Sequence, residues 1–413
     1  MSTVGIVVEY NPLHNGHLYH LQQSRKITGA DNVVAVMSGN FLQRGEPALL
    51  DKWARAEMAL QAGCDLVLEL PVAYSAQPAQ WFAYGAVAML QATGVVDSLC
   101  FGSESGDVEA LDAMAAMLVE EPLPFTAELA ACLKQGMPYP SAFTRAAQTY
   151  LRSIGREHLA FSLEQPNHTL GLHYLIALRK LDSRIVPYSV RREKSEYNQE
   201  NITDVRIASA TALRKLLFGE EGSLEELAPY VPSSTMDVLR REIAAGRGPL
   251  RWESFARPLY HRLLGQDVSE LGEYAEVTEG LEYRIRDVLG EIGEFSFEAL
   301  LDGLKTKRYT RTKLQRTLLR ILLGHKKEWM TPERLAGGVQ YLRILGFTER
   351  GQRLLGRMRK AASVPVVDSA ARGDWPYLAL DARASAVYAL AYRDASPADT
   401  RRDYTHPPIR LID

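Results

Sequence analysis

The stretch Val7-Val8-Glu9-Tyr10-Asn11-Pro12-Leu13-His14-Asn15-Gly16-His17 decides the fold of this chain. It continues an apolar run that begins at Val4 and reads as a β-strand, and it leads through a short turn into a helical pattern. The start of a helix offers free N–H groups and partial positive charge, and Gly16 lets the backbone approach a ligand closely. His14 and His17 are three residues apart, so both rings can point the same way from the first helical turn. The stretch therefore predicts a triphosphate site and chemistry at the α-phosphate of ATP.

Two other interpretations of these histidines remain open. A four-residue pattern also arises by chance, and the histidines would then lie in an ordinary surface loop. Histidine is also a common zinc ligand, but no third and fourth ligand stands at a recognisable spacing, so no metal ligand is assigned. The position of the motif between a strand and a helix favours the nucleotide site.

The first hundred residues alternate short apolar strands with helices, which indicates an α/β fold with a Rossmann-like parallel sheet covered on both faces. From about residue 245 helical patterns dominate, so a mainly helical C-terminal domain should follow, with the division near residue 235. The predicted strands are 4–8, 32–37, 65–70, 98–101, 184–190 and 363–368. The predicted helices are 16–27, 48–62, 77–92, most of 106–165, 172–180 and 209–218.

Composition sets limits on the class of protein. The chain has 413 residues and a formal net charge of −2, so any nucleic-acid surface must be a local basic patch. Three cysteines without a C-x-x-C pair argue against a disulfide framework and favour a reducing cytoplasm. No signal peptide and no apolar run of transmembrane length are recognisable, so no membrane association is expected.

Polar side chains follow the second predicted strand, in the loop 38–48. Ligands of open α/β sheets bind at the carboxyl ends of strands, so this loop should face the same crevice as the histidines. A solvated loop and an exposed helix face are the alternative. The candidate substrate-binding residues are Ser38, Asn40, Gln43, Arg44 and Lys52.

Further candidates stand at other strand ends. Gly102 lets the backbone approach an adenine or ribose, although an ordinary turn would explain it equally well. Asn167 precedes a predicted helix, and the sequence alone favours a helix cap over an adenine ligand. Arg191 and Arg192 follow a strand, where a guanidinium suits phosphate binding, with a solvated charge pair as the alternative.

The run Ser209-Ala210-Thr211-Ala212-Leu213-Arg214 opens another predicted helix. Ser209 or Thr211 can cap the helix and present a hydroxyl and N–H groups to phosphate, and Arg214 lies one turn further on. A plain capped helix is the alternative.

A basic segment without any acidic residue runs from Lys305 to Lys327. In a chain of net charge −2 this segment predicts a polyanion site, and Tyr309 could stack on a base. A solvated charge run is the alternative. The candidate contacts to RNA are Lys305, Lys307, Arg308, Arg311 and Arg316.

Together these residues resemble a known family. His14-x-Gly16-His17 resembles the first motif of the nucleotidyltransferase superfamily, and Ser209-x-Thr211-x-x-Arg214 resembles its second, hydroxyl-rich phosphate motif. The strings VEYNPLHNGH, SGNFLQRGEPALLDKWARA, LELP, FGSE, QPNHTLG and TKRYT are similar to those of the bacterial tRNA(Met) cytidine acetate ligase family. The resemblance covers most of the chain and thins after about residue 330.

The resemblance implies a two-step activity. ATP, accompanied by Mg²⁺, would activate acetate as acetyl-adenylate, which would then acetylate N4 of the wobble cytidine in elongator tRNA(Met). Residues 1–235 would be the nucleotidyltransferase-like, ATP-binding catalytic domain, and residues 236–413 would bind the tRNA. The implied catalytic residues are His14, His17 and Arg214. The implied ATP contacts are Val7, Val8, Glu9, Tyr10, Asn11, Pro12, Leu13, His14, Asn15, Gly16, His17, Leu18, Tyr19, His20, Gly102, Asn167 and Arg192, to which the second motif adds Ser209 and Thr211.

The resemblance moves Asn167 from a cap toward a ligand, whereas the choice between Arg191 and Arg192 stays open. Two rival functions remain. A small-molecule adenylyltransferase would not need the basic segment, and a non-catalytic ATP-sensing RNA-binding protein would bind tRNA without modifying it. The oligomeric state has no signature in the sequence.

Overall fold

The computed structural model describes residues 1–137, 139–156, 166–191, 208–219, 222–306 and 309–412. These residues build one eight-stranded sheet in the order β5-β4-β1-β2-β3-β6-β7, with β8 paired to β6. The strands are β1 (Thr3–Val8), β2 (Asn32–Ser38), β3 (Leu66–Leu70), β4 (Ser98–Ser103), β5 (Val186–Arg191), β6 (Leu342–Thr348), β7 (Val366–Val367) and β8 (Ile409–Leu411). Strands β1 to β5 are mutually parallel, which confirms the predicted α/β fold.

Helices cover both faces of this sheet. Those of the first half are α1 (Asn15–Thr28), α2 (Lys52–Gln61), α3 (Val72–Ser75), α4 (Ala79–Ala92), α5 (Val108–Glu120), α6 (Leu123–Lys134), α7 (Tyr139–Ser153), α8 (Pro166–Lys180) and α9 (Ala210–Leu217). Those of the second half are α10 (Ser233–Ala244), α11 (Ala256–Leu264), α12 (Val268–Gly272), α13 (Leu281–Glu291), α14 (Phe297–Leu304), α15 (Arg311–Leu323), α16 (Pro332–Ala336), α17 (Glu349–Ala361), α18 (Pro376–Ala389) and α19 (Arg402–Thr405). Short 3₁₀ turns lie at Leu224–Leu227, Trp252–Phe255, Lys327–Trp329, Ala370–Arg372 and Asp399–Arg401.

Strand β2 shows why the predicted parallel strands form. All seven of its residues are buried, and its side chains alternate between two hydrophobic clusters. Val34 and Val36 belong to one cluster, whereas Val33 and Ala35 belong to the other. Because successive side chains of a strand point to opposite faces, a continuous apolar run gives apolar packing to both helical layers.

The predicted helix 48–62 begins late, at Lys52, so its first turn was predicted wrongly. Asp51 is the helix cap and accepts a hydrogen bond from the Ala54 N–H at 2.9 Å. The backbone N–H of Leu49 bonds instead to the Asn11 side chain at 2.6 Å, which holds residues 48–51 as a loop. Cap and loop contacts outweigh the helical propensity of Ala48, Leu49 and Leu50.

The C-terminal half contributes to the same sheet, which the sequence did not reveal. Strand β6 pairs antiparallel with β3, and β7 and β8 both pair with β6. Strand β7 falls within the predicted element 363–368, whereas β6 and β8 were not predicted. No helix among the described residues is long and apolar enough to cross a membrane. The division of the chain near residue 235 stays a prediction.

Candidate active site

A pocket opens at the carboxyl ends of β1, β4 and β5. It is bounded by the start of α1, the loop 42–46 and the start of α9. The site therefore lies where open α/β sheets bind ligands, and the predicted segments 7–20, 38–48 and 209–214 meet there. The predicted nucleotide-contact residues that line it are Val7, Val8, Glu9, Tyr10, Asn11, His14, Gly16, His17, Tyr19, His20, Gly102, Ser209, Thr211 and Arg214. Pro12, Leu13, Asn15 and Leu18 do not line it.

The two histidines form a stacked pair at the start of α1. Their ring centroids are 3.7 Å apart and the planes differ by 24°. His14 is the helix cap, and its Nδ1 accepts a hydrogen bond from the Gly16 N–H at 3.1 Å. The His17 Nδ1 accepts from the His14 N–H at 3.4 Å. Because each Nδ1 is an acceptor, each neutral ring carries its hydrogen on Nε2 and can donate it to a phosphate oxygen.

Glu9 lies in this pocket directly after β1. Its Oε1 accepts hydrogen bonds from the Gln43 N–H at 2.7 Å and from the Ser38 hydroxyl at 3.2 Å. Burial raises the pKa of Glu9 above its ordinary value, although the hydrogen bond from Gln43 and the charge of Arg55 act against that rise. The predicted residue Ser38 thus contacts Glu9 and does not line the pocket, whereas Gln43 and Arg44 line the pocket themselves.

Two further predicted substrate-binding residues, like Ser38, do not line the pocket. The Asn40 side chain accepts from the Lys52 N–H at 2.7 Å and donates to the Ser385 hydroxyl at 3.2 Å. The Lys52 ammonium is completely buried and bonds to Glu69 and Asp403. Asn40 therefore connects the loop, and Lys52 the start of α2, to the C-terminal half, and direct contact with substrate is not supported for either.

Helix α9 presents its N-terminus to the pocket, as predicted from the second motif. Ser209 caps the helix, with its Oγ accepting from the Ala212 N–H at 3.1 Å. The Arg214 guanidinium donates to the Asn11 carbonyl and to the Glu46 carboxylate, both at 3.0 Å. Arg214 therefore connects the loop after β1 with the loop after β2.

The remaining predicted nucleotide contacts are placed only in part. Gly102 pairs with Val190 between β4 and β5, and Arg191 lines the pocket at the end of β5. Arg192 lies outside the described residues. Asn167 is the second residue of α8 and its side chain also lies outside the described part, so the interpretation as a helix cap was wrong.

An apolar wall of the pocket was missed by the sequence analysis. Phe82, Phe101, Leu170 and Tyr174 form it, and the rings of Phe101 and Tyr174 are 5.6 Å apart. Such a surface suits a purine base. These residues stand at ordinary core positions of helices and a strand, so no signal distinguishes them from packing residues. Among the described residues no group of three or more His, Cys, Asp or Glu side chains could hold a metal ion.

The basic segment lies beside the pocket, but much of its charge is neutralised. Gly45 of the pocket loop packs against the backbone of Arg316, and the Gln315 amide donates to Glu46 at 3.4 Å. Arg311 bonds to Glu298 at 2.6 and 2.8 Å. Acidic residues from other elements thus supply the counter-charges that the segment itself lacks.

Two predictions for this segment need correction, and the others in it remain untested. Arg316 is largely buried and bonds to Glu276 at 3.0 Å, so it does not present a free basic face. Tyr309 is buried and donates to the Glu279 carbonyl at 2.8 Å, so its stacking on a base is not supported. Lys305 is exposed. Lys307 and Arg308 lie outside the described residues.

A mostly parallel sheet with a stacked histidine pair at the start of its first helix is the arrangement expected of a nucleotidyltransferase. A family model described as HIGH Nucleotidyl Transferase matches residues 1–403. A tRNA(Met) cytidine acetate ligase of Acetivibrio thermocellus is 43% identical over 370 residues, which is 89% of this chain and 88% of the relative. The enzyme of the same name from Caldanaerobacter subterraneus is 38% identical over the full length of both chains.

Solved structures agree with these relatives. The apo structure of Thermotoga maritima TmcAL matches with a TM-score of 0.90 at 37% identity, covering all of both chains. The same protein bound with alpha-thio ATP matches with a TM-score of 0.88 at 37% identity, again over all of both chains. This chain belongs to the tRNA(Met) cytidine acetate ligase family of the HIGH nucleotidyltransferases.

Proposed function

We propose that this protein acetylates N4 of the wobble cytidine in elongator tRNA(Met), using acetate and ATP through an acetyl-adenylate intermediate. The observation that carries the proposal is the stacked pair His14 and His17 in a pocket that the start of α9 also lines. The substrates are those named for its relatives, the tRNA(Met) cytidine acetate ligases. A tRNA substrate favours a cytoplasmic location, which we also propose.

The pocket suits ATP in one orientation. The adenine would lie against Phe101 and Tyr174, where Gly102 leaves room for the base or ribose. The phosphates would then meet the N-termini of α1 and α9, whose partial positive charge favours anions. The relative bound with alpha-thio ATP shows that a protein of this family takes such a ligand.

In the first step an acetate oxygen attacks the α-phosphorus and pyrophosphate leaves. Charge grows on the phosphate oxygens, and the Nε2–H groups of His14 and His17 can stabilise it, together with Arg214. Mg²⁺ would accompany the triphosphate, with phosphate oxygens and water as its main ligands. Placing fixed donors around the α-phosphate is the role that we assign to these three residues.

In the second step the cytidine N4 amine attacks the acetyl carbon and AMP leaves. The lone pair of this amine is delocalised into the ring, so the amine is a poor nucleophile and requires an activated acid. The wobble base lies in a single-stranded loop, from which it can be splayed into a pocket.

The tRNA would approach along the segment that precedes α15. Lys305 is exposed, and α15 packs beside the pocket loop, where Gln315 and Arg316 meet Gly45. We retain Lys305, Lys307, Arg308 and Arg311 as proposed contacts to the tRNA. Arg316 would instead hold Glu276 and the loop, because it is buried.

The test uses purified protein, ATP, labelled acetate and a tRNA(Met) transcript. Acetylcytidine in the anticodon fragment, formed only when ATP and acetate are both present, is the expected result. AMP transfer to a small phosphorylated acceptor instead would favour an adenylyltransferase. Binding of the tRNA without any modification would favour a non-catalytic RNA-binding protein.

A further inference from the structure

We propose that Glu9 is the catalytic base of the acetyl-transfer step and that its Oε2 receives the hydrogen of the cytidine N4 amine. This inference rests on the proposed function and assigns a residue to its second step. Glu9 follows β1 directly and lines the same pocket as His14, His17 and Arg214.

The position of the Glu9 carboxylate is held by the surrounding loop. Its Oε1 accepts from the Gln43 N–H at 2.7 Å and from the Ser38 hydroxyl at 3.2 Å. The backbone carbonyl of Glu9 accepts from Arg55 at 2.6 Å. Within the described ranges no group donates a hydrogen bond to Oε2 of Glu9, so one oxygen of a fixed carboxylate remains for a ligand.

The other groups of the pocket fit this task less well. Glu46 has one oxygen on Arg214 at 3.0 Å and the other on Gln315 at 3.4 Å. His14 and His17 use Nδ1 as the acceptor of a backbone N–H, so each ring has its hydrogen on Nε2 and acts as a donor. Glu9 is therefore the better acceptor for an amine hydrogen.

The chemistry of the transfer requires such an acceptor. A carboxylate is a natural partner of the cytosine N4 amine, since that amine is a hydrogen-bond donor. As the N4–C bond forms, the bond between the acetyl carbon and the phosphate oxygen breaks, and its electron pair leaves with AMP. The N4 proton passes to Glu9 Oε2 and then to solvent, so the step balances without another reactant.

The environment of Glu9 also affects its basicity. Burial raises its pKa, and the nearby charge of Glu46 adds to the rise, whereas the hydrogen bond from Gln43 and the charge of Arg55 oppose it. A raised pKa makes the carboxylate a stronger base near neutral pH. The other charged or titratable groups around the pocket include His14, His17, Arg44, Arg191 and Arg214.

The experiment separates the two steps in the variant Glu9→Gln, which keeps an oxygen for Gln43 and Ser38. Acetate-dependent exchange of pyrophosphate into ATP reports adenylation, and single-turnover transfer to tRNA(Met) reports the second step. We expect a loss in transfer of about 10²–10⁴-fold, the usual range for a lost general base, and a much smaller loss in exchange. Glu349→Gln, on the exposed start of α17, is the matched control and should leave both rates unchanged.

Two further measurements complete the test. Wild-type transfer should slow as the pH falls through the raised pKa of Glu9, and this dependence should disappear in Glu9→Gln. Glu9→Asp keeps a carboxylate and should transfer at least about tenfold faster than Glu9→Gln. Equal loss of exchange and transfer in Glu9→Gln, or transfer near the wild-type rate, would overturn the assignment. A wild-type protein that exchanges pyrophosphate but never acetylates tRNA would instead overturn the proposed function.

Discussion

The imidazole of His17 faces the pocket, and it also orients His14, the other candidate catalytic histidine. It accepts the His14 N–H and stacks on the His14 ring. In His17→Ala we expect the rate of acetate-dependent pyrophosphate exchange to fall by about 10²–10³-fold, as for the loss of one donor to a developing charge. His261→Ala, on the exposed side of α11, is the control. An exchange rate in His17→Ala equal to that of the control would contradict the role given to His17.

Lys52 stabilises the fold through a buried cluster of charges with Glu69 and Asp403. Burial alone would lower its pKa, but Asp403 and Glu69 raise it above its ordinary value, so the ammonium stays charged. Lys52→Met removes the ammonium that bonds to two buried carboxylates and, among the described residues, leaves only Arg343, 3.6 Å from Asp403, to balance them. The substitution should lower the free energy of unfolding by about 3–5 kcal/mol. Urea denaturation measures this change. Arg240→Met removes an exposed pair with Glu225 and should change the free energy of unfolding far less. Equal effects of the two substitutions would argue against the buried cluster.

At the scale of single elements, the basic segment from Lys305 to Lys327 contains, as far as the structure describes it, cations that form ion pairs and others that form none. In the described part of the chain no carboxylate forms an ion pair with Lys305, whereas Lys326 bonds to Glu273 at 2.6 Å. Lys305→Gln should therefore weaken tRNA binding and reduce the slope of log K against log salt by about 0.7–0.9 if one phosphate contact is lost. Lys326→Gln should change the slope little. Filter binding between low and moderate salt concentrations provides the measurement, and identical slopes for Lys305→Gln and wild type would count against this contact.

The elements also show what the sequence can and cannot predict. Strands β1 to β5 and the His14 motif were predictable because buried parallel strands are continuous apolar runs and because a helix start binds phosphate by local geometry. Strand β6 was not predictable, since its partner β3 is more than 270 residues earlier in the chain. The pairing of Arg311 with Glu298 and of Arg316 with Glu276 likewise depends on tertiary contacts. A basic run in sequence therefore overstated the basic surface.

At the scale of the whole molecule, the two halves share one sheet and one set of buried charges. Strand β6 covers the edge of β3, and Asp403 of the C-terminal half bonds to Lys52 of the first half at 2.8 Å. Tyr388 donates to the Ala48 carbonyl at 2.7 Å, directly beside the pocket loop. The candidate catalytic half is thus packed against residues that lie beyond the predicted division at 235.

This packing predicts how the chain behaves when it is divided. A fragment of residues 1–235 would expose the apolar edge of β3 and leave Lys52 and Glu69 without Asp403, so it should aggregate and fail to bind ATP. Urea denaturation of the full chain, monitored by circular dichroism and by tryptophan fluorescence, should show a single unfolding transition. Co-expression of 1–235 with 236–413 is the matched control, because it restores β6 and Asp403 and should recover soluble protein that binds ATP. A soluble 1–235 fragment with wild-type affinity for ATP would show that the first half folds and works independently of β6.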